Sequence, residues 1–199
     1  LNITSSFMNS GTLNFTGGTN ANAISGSGNL NITGSVINNA YIVQGGIDIA
    51  STGALTSDAG NINTGTQSVT NSGTHTFTGG NNANSVSGTG STVIAGTVTN
   101  NGGDITQDNL TVNNGASFDT AVDKIHITAA NAILNDGVLR LNGQGALGNA
   151  LNQSSAGLGT LYVYGAGTVI TNTPLITQNK IIIESGAELV SDAADLDIN

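Results

Sequence analysis

Closely spaced carboxylates are the residues of this chain most suited to chemistry. They form four groups: Asp104 and Asp108, Asp119 and Asp123, Glu184 and Glu188, and Asp192, Asp195 and Asp197. Glycoside hydrolysis uses two carboxyl groups that flank one bond, usually with cationic groups nearby. None of these carboxylates has a His or Arg beside it in sequence, and three Tyr and four Phe are few for a sugar cleft. We therefore expect exposed solubilising charge and no enzyme, with a polysaccharide-active protein as the least favoured alternative.

One glycine–aspartate turn has the composition of a calcium-binding loop. The run at 102–105 reads GGDI, which is similar to the turns of calcium-loaded β-rolls. Those sites need the motif repeated in tandem, because each ion is held between successive turns. Here the motif occurs once. The sequence therefore predicts no metal site and no cofactor.

Four residues in the last third of the chain could form a binding surface. Arg140, Tyr162, Tyr164 and Ile182 fall on the outward phase of segments whose alternate residues are Leu, Val or Ile. If these segments stack as successive coils, the four side chains form one partly apolar stripe, a composition typical of interaction surfaces. The alternative is that they are unrelated surface residues on different faces.

An internal duplication of the sequence indicates how the segments of this chain are arranged. Residues 9–39 read NSGTLNFTGGTNANAISGSGNLNITGSVINN, and residues 71–101 read NSGTHTFTGGNNANSVSGTGSTVIAGTVTNN. The two copies align without a gap. Self-similarity at a fixed period indicates a solenoid, in which each unit packs on its neighbours.

The duplication also places one histidine. His75 corresponds to Leu13, so an inward position of one copy holds imidazole in the other. We expect either a tolerated histidine near the end of a coil or a hydrogen-bonded core histidine there, in preference to a metal ligand or a catalytic residue. His126 lies between Ile125 and Ile127 and is expected to be exposed.

The composition favours a β-solenoid over a helical one. The chain has 29 Gly, one Pro and no Cys, and short alternating pairs such as Leu30 and Ile32 recur between Gly and Asn turns. Asn101-Gly102 would also suit an antiparallel hairpin. A repeat of about 62 residues divides into three coils of about 21, however, whereas a sandwich gives no reason for such a translation. The sequence therefore predicts an all-β parallel β-helix of nine to ten coils.

The chain is expected to form one domain over 1–199. Residues 1–118 should form the regular duplicated coils, and residues 119–199 more divergent ones. Within the second part, Ala146 to Leu151 has the spacing of a helical turn, which suggests a short insertion near 146–157.

Charge excludes two classes of partner. The formal net charge is −9, with Lys124, Arg140 and Lys180 as the permanent cations. Binding to nucleic acid or to anionic lipid requires a basic face. No apolar run is long enough to span a membrane. The chain begins at Leu1 without Met or a signal peptide, so we expect a processed fragment.

Several segments resemble the passenger domains of Gram-negative autotransporters. They are 96–102 (GTVTNNG), 110–118 (LTVNNGASF) and 181–189 (IIIESGAEL), and the run at 25–34 (SGSGNLNITG) is similar to rickettsial outer-membrane surface antigens. The resemblance implies a right-handed β-helix displayed at the bacterial surface, anchored through a C-terminal barrel elsewhere in the full-length chain. It further implies adhesion to a host cell-surface protein, with self-association of neighbouring copies or a spacer role as alternatives.

Overall fold

Stacked parallel strands build the molecule. The computed structural model describes residues 6–128 and 133–198, which form a parallel β-solenoid of about nine turns. Every strand pair in these residues is parallel, so the predicted β-helix is confirmed and the antiparallel sandwich is excluded. Leu1 and Ile3 form a further alternating pair, for which the sequence pattern also predicts a strand, but they lie outside the described residues.

The strands fall into three sets of ten. The first set is β1 (Phe7–Met8), β2 (Thr12–Phe15), β3 (Gly18–Asn20), β4 (Ile24–Ser25), β5 (Asn29–Ile32), β6 (Ser35–Asn38), β7 (Ile42–Val43), β8 (Gly46–Ile49), β9 (Ala54–Ser57) and β10 (Ile62–Asn63). The second is β11 (Val69–Asn71), β12 (Thr74–Phe77), β13 (Gly80–Asn82), β14 (Val86–Ser87), β15 (Ser91–Ile94), β16 (Thr97–Asn100), β17 (Ile105–Gln107), β18 (Asn109–Val112), β19 (Ser117–Ala121) and β20 (Ile125–Ile127). The third is β21 (Ile133–Asn135), β22 (Val138–Asn142), β23 (Gln144–Leu147), β24 (Leu151–Asn152), β25 (Thr160–Val163), β26 (Val169–Asn172), β27 (Ile176–Gln178), β28 (Lys180–Ile183), β29 (Glu188–Val190) and β30 (Leu196–Ile198).

These sets are three structural repeats: repeat 1 (7–63), repeat 2 (69–127) and repeat 3 (133–198). Each has one 3-10 helix just before its last strand, at Ala59–Asn61, Val122–Lys124 and Ala193–Asp195. Each also has one buried amide pair, which joins an Asn near the start of the repeat to a Gln about two thirds of the way along it. The side-chain Nδ2 donates to Oε1 at 2.6, 2.5 and 2.6 Å in the pairs Asn9–Gln44, Asn71–Gln107 and Asn135–Gln178. The repeat therefore continues past residue 118, where the sequence similarity fades.

Equivalent strands of successive repeats lie in different sheets. Sheet A is β1-β4-β7-β10, sheet B runs from β2 to β20, sheet C from β3 to β30, sheet D from β13 to β28, and sheet E is β23-β26-β29. Paired strands are three apart in the chain. If each repeat had nine strands, equivalent strands of successive repeats would lie in the same sheet. Each repeat has ten strands, so each strand of the next repeat lies one sheet further along. Consequently β2, β12 and β22 lie in sheets B, C and D.

The interior is aliphatic because apolar residues alternate with polar ones along each strand. Leu30, Ile32, Ile47, Leu139 and Val163 are all buried. Alternation places such residues on one face of a strand, and the coil closes that face inward. At one corner the backbone of neighbouring coils approaches too closely for a side chain. A Cβ at Gly34 or Gly96 would lie 1.9 Å from the carbonyl oxygen of Thr16 or Thr78.

The helical turn predicted over Ala146 to Leu151 is wrong. Gln144–Leu147 forms β23, which pairs with Val169–Asn172, and Leu151–Asn152 forms β24. Leu147 and Leu151 point into the core as strand residues, and Gly145 and Gly148 disfavour a helix. The additional residues of repeat 3 lie in the loops 153–159 and 164–168, outside the strands.

Candidate functional site

The four residues predicted to form a stripe lie together on sheet D. Asp119 is in register with Arg140, Arg140 with Tyr162, and Tyr162 with Ile182. Tyr164 follows β25, and its ring centroid is 6.1 Å from that of Tyr162. We call Asp119, Arg140, Tyr162, Tyr164, Ile182 and Glu184 the tyrosine–arginine surface.

Arg140 is the centre of this surface. Its guanidinium carbon lies 4.4 Å from the ring centroid of Tyr162 and 4.8 Å from that of Tyr164. Its Nε donates to Oδ2 of Asp119 at 3.3 Å. The side chains of Arg140 and Asp119 are 34% and 25% exposed, so solvent still reaches the pair. Cation–π contact and a carboxylate thus hold one guanidinium in a fixed orientation.

Both tyrosine hydroxyls are bound by carboxylates. The Tyr162 hydroxyl donates to Oε1 of Glu184 at 3.0 Å, and the Tyr164 hydroxyl donates to Oδ1 of Asp119. Asn142 donates to the Tyr164 oxygen at 2.6 Å. The hydrogen bond to Glu184 raises the pKa of Tyr162, while burial and then the bond to Asp119 raise the pKa of Tyr164. Both phenols therefore stay protonated at neutral pH.

Sequence reasoning missed three members of this arrangement. Asp119, Asn142 and Glu184 contact the predicted residues although they lie about 20 residues away in the chain. Adjacency in sequence does not reveal such contacts, because neighbours in a solenoid are one coil apart. The signal available was the coil spacing itself: Asp119, Arg140 and Tyr162 are separated by about one coil length.

A polar groove on sheet B is a second candidate site. Its volume is about 790 Å³, and the loop after Asn63 forms one wall. Asp48 is the one carboxylate among its described lining residues, beside Asn29 and Gln67. General acid–base cleavage of a glycoside uses two carboxyl groups. This groove therefore does not supply that pair.

The remaining carboxylates named in the sequence are engaged across coils or exposed. Asp104 accepts from Nζ of Lys124 at 3.0 Å, and this contact raises the pKa of Lys124. Asp108 accepts from the Thr128 hydroxyl at 2.7 Å. Glu188 is exposed on β29. Cross-coil contact thus gives some of these acids cationic or hydroxyl partners that sequence adjacency does not show.

His75 is fully buried, and it is not the hydrogen-bonded core histidine that was one of the two expectations. Neither ring nitrogen has a hydrogen-bond partner among residues 6–128 and 133–198. The ring centroid lies 4.2 Å from that of Phe77, and Thr92, its cross-strand neighbour, is also buried with an unpaired hydroxyl. Burial lowers the pKa of His75 to about 3. The imidazole is therefore uncharged at neutral pH, while His126 is exposed as predicted.

Neither a metal nor a membrane-spanning site is visible in the described parts of the chain. Residues 6–128 and 133–198 contain no group of three His, Cys, Asp or Glu side chains placed to hold a metal ion. No helix within these same ranges is long and apolar enough to cross a bilayer.

Comparisons with models of protein families, with curated proteins and with solved structures find no match for this chain.

Proposed function

We propose that this chain is a surface-displayed adhesive β-solenoid of a Gram-negative bacterium, which binds a host cell-surface protein through the tyrosine–arginine surface. The observation that carries the proposal is the guanidinium of Arg140, held against two tyrosine rings on the outside of sheet D. Tyr and Arg are the residue types most enriched at energetic hot spots of protein interfaces.

Order in the unbound state favours binding. The two tyrosine hydroxyls and Arg140 are each tied to a carboxylate on a neighbouring strand. Side chains that are already held lose little conformational entropy when a partner docks. Ile182, in register with Tyr162, adds apolar area beside the rings. A partner that covers this surface would bury aromatic area and meet a guanidinium whose remaining N–H groups can donate.

Many copies on one cell would strengthen a weak single contact. A solenoid fixes the binding surface on a rigid frame, and neighbouring copies then engage a host surface together. This mode agrees with export as an autotransporter passenger, joined to a membrane barrel elsewhere in the full-length chain. A barrel-encoding segment downstream in the same reading frame would support that route.

Binding to cultured human epithelial cells tests the proposal. Fluorescently labelled wild type is compared with the double variant Arg140→Ala/Tyr162→Ala by flow cytometry. We expect the variant to bind at least about tenfold more weakly, since two hot-spot truncations together cost more than 1.4 kcal/mol. Unchanged binding would contradict the role of this surface.

Tyr41→Ala is the matched control. Tyr41 is 46% exposed and contacts Asn63 in repeat 1, several coils away from Arg140 in repeat 3. Its removal should leave cell binding unchanged. Equal far-UV circular dichroism of all three proteins would show that the β-solenoid is intact.

A spacer role is the second candidate. Stacking of coils in one register across the ten-stranded sheet C favours a stiff element that holds another domain away from the membrane. A wild-type chain that ignores host cells and stays monomeric in sedimentation would favour this candidate over adhesion.

A further inference from the structure

The wall of the groove on sheet B is an ordered turn. Earlier coils connect sheet A to sheet B through two or three residues, at 9–11, 26–28 and 44–45. The connection after Asn63 is longer and runs over 64–68. Within it the Thr64 hydroxyl donates to the Gln67 carbonyl oxygen at 2.6 Å, and the Thr64 N–H donates to Oδ1 of Asn84 at 3.0 Å. These bonds hold the wall in place before any ligand binds.

The floor of the groove lacks a side chain at Gly46. A Cβ there would lie 2.7 Å from Oδ1 of Asn29, so the Asn29 side chain lies over the glycine. The equivalents in repeat 2 are Asn109 for Gly46 and Ser91 for Asn29, as the first residues of β18 and β15. Nδ2 of Asn109 donates to the Ser91 hydroxyl at 3.3 Å. Repeat 2 thus holds a bonded amide where repeat 1 leaves open space.

Polar side chains from three successive coils line this space. Asn29 lies on β5, Asp48 on β8 and Thr70 on β11, and Gln67 belongs to the wall. None of these four side chains has a hydrogen-bond partner among residues 6–128 and 133–198. Two strand spacings separate the outer coils, a length of about 10 Å. The groove therefore offers a row of free donors and acceptors about as long as a disaccharide.

The mixture of groups fits a neutral sugar. Amides and hydroxyls both donate and accept, whereas the carboxylate of Asp48 only accepts. Sugar hydroxyls also donate and accept, so they can bond to every one of these groups. No Lys, Arg or His is among the described lining residues, which disfavours phosphate, sulfate and uronate groups. Val43 is the one branched aliphatic residue of the lining, too little apolar surface for a lipid or an apolar peptide side chain.

We propose that this groove binds a neutral oligosaccharide and does not cleave it. Asp48 accepts hydrogen bonds from neighbouring sugar hydroxyls, and the amides of Asn29 and Gln67 donate to sugar oxygens. Cleavage by general acid–base catalysis would need a second carboxyl group, which the lining does not contain. The ordered wall keeps the entropic cost of binding low.

The groove lies within the stack and apart from the tyrosine–arginine surface. Thr12 of the preceding coil is in register with Asn29, and Ser87 of the following coil is in register with Thr70. The groove is on sheet B, whereas the tyrosine–arginine surface is on sheet D. Binding of a sugar here does not require the proposed adhesive function.

A printed array of neutral and acidic oligosaccharides tests the proposal, with fluorescently labelled protein as the analyte. We expect wild type to bind a set of the neutral sugars. Gly46→Asn copies repeat 2 and fills the floor, and Asp48→Ala removes the charged acceptor. Each variant should lower the signal on those sugars at least about tenfold, because a charge-assisted hydrogen bond or the space for the sugar is lost.

Two controls separate the groove from other surfaces. Asp108→Ala removes the same charge beside Asn109 in repeat 2 and should bind sugars like wild type. Arg140→Ala/Tyr162→Ala should also keep the signal, even if cell binding is lost, since the array carries no protein. If Gly46→Asn loses its β circular dichroism, Asn29→Ala takes its place. Wild type that binds no neutral sugar, or a signal that the groove variants retain, would overturn the proposal.

Discussion

Repeats 2 and 3 share an interior and differ on the outside. Both bury an amide pair of the same geometry, Asn71 with Gln107 and Asn135 with Gln178. The outward positions that hold Val93 and Ala95 in repeat 2 hold Tyr162 and Tyr164 in repeat 3. The interior therefore specifies the coil, whereas the residue types at outward positions differ from one repeat to the next.

Two interior positions also distinguish the repeats. Repeat 2 has His75 where repeats 1 and 3 have Leu13 and Leu139. Repeat 3 has Leu147 where repeats 1 and 2 have Asn20 and Asn82. As a result, Oδ1 of Asn172 has no partner in the described residues, whereas Oδ1 of Asn100 accepts from Asn82 at 2.8 Å. Single interior positions therefore exchange polar for apolar residues between repeats, and the effect of each exchange on the free energy of unfolding can be measured.

Removal of a shared amide should have the largest effect. Asn71→Ala deletes a buried group that donates to Gln107 and to the Ser91 carbonyl oxygen and accepts from Gly73 N–H. We expect the free energy of unfolding to fall by about 3 kcal/mol, because several partners are left unpaired. Urea denaturation measures the change. The exposed Asn101→Ala serves as control, and an equal loss in both proteins would contradict a special role for the buried pair.

Acid should act on repeat 2 through His75. The unfolded chain protonates this histidine at its ordinary pKa of 6.5, whereas the folded pKa is about 3. Stability from this residue is therefore constant above pH 6.5 and declines between pH 6.5 and 3, by about 1.4 kcal/mol per unit. No ionisable residue lies in β9 or β15, the strands paired with β12; Asp58 follows β9.

The variant His75→Leu, which copies repeats 1 and 3, isolates this effect. We expect its advantage in free energy of unfolding over wild type to grow by about 2.5 kcal/mol between pH 7 and pH 4.5. Chemical denaturation at a series of pH values gives the difference directly, since other groups titrate alike in both proteins. An advantage that does not change with pH would contradict a neutral buried imidazole.

The broken asparagine ladder of repeat 3 predicts a smaller difference. Asn100→Ala removes an acceptor of Asn82, whereas Asn172→Ala removes a side chain whose Oδ1 is unpaired in the described residues. Both variants lose their donated bonds, to Gly103 and to Pro174. We therefore expect Asn100→Ala to cost about 1 kcal/mol more. Equal costs would show that the Asn82 contact contributes nothing.

The outer surface should matter least for stability. Arg140→Ala removes a partly exposed ion pair and two cation–π contacts. Such solvent-accessible contacts contribute little, so we expect a loss of less than about 1 kcal/mol in urea denaturation. If Arg140→Ala lowered the free energy of unfolding as much as Asn71→Ala does, the tyrosine–arginine surface would be part of what stabilises the fold.

Alternation along the chain predicted the outward phase and most of the strands, although not β23 and β24, where a helical turn was expected. Ile47 and Ile49, or Leu110 and Val112, identify a buried strand face without any tertiary information. The same phase places Arg140, Tyr162 and Ile182 outside, and one coil length between them brings them together. The coil spacing was therefore the feature of the sequence that allowed the candidate site to be predicted.

The third repeat and the shift between sheets could not be read in this way. Longer loops at 153–159 and 164–168 interrupt the alignment, and surface residues there have changed. The sequence feature that still marks the third repeat is the triplet that ends in Gln44, Gln107 and Gln178. The move to the next sheet depends on whether a repeat has nine strands or ten, which two-residue strands such as β10 decide.

Disulfide trapping tests the central claim, that each repeat advances by one sheet. The chain has no cysteine, so introduced pairs report without background. Thr56 and Thr76 are register partners in sheet C. Asp48 lies on β8 in sheet B, and it would be the neighbour of Thr76 if β12 lay in the same sheet as its repeat 1 equivalent β2. Under mild oxidation, Thr56→Cys/Thr76→Cys should cross-link readily, because adjacent strands bring the Cα atoms within disulfide reach. Asp48→Cys/Thr76→Cys should remain reduced. Cross-linking of the second pair and not the first would contradict the account.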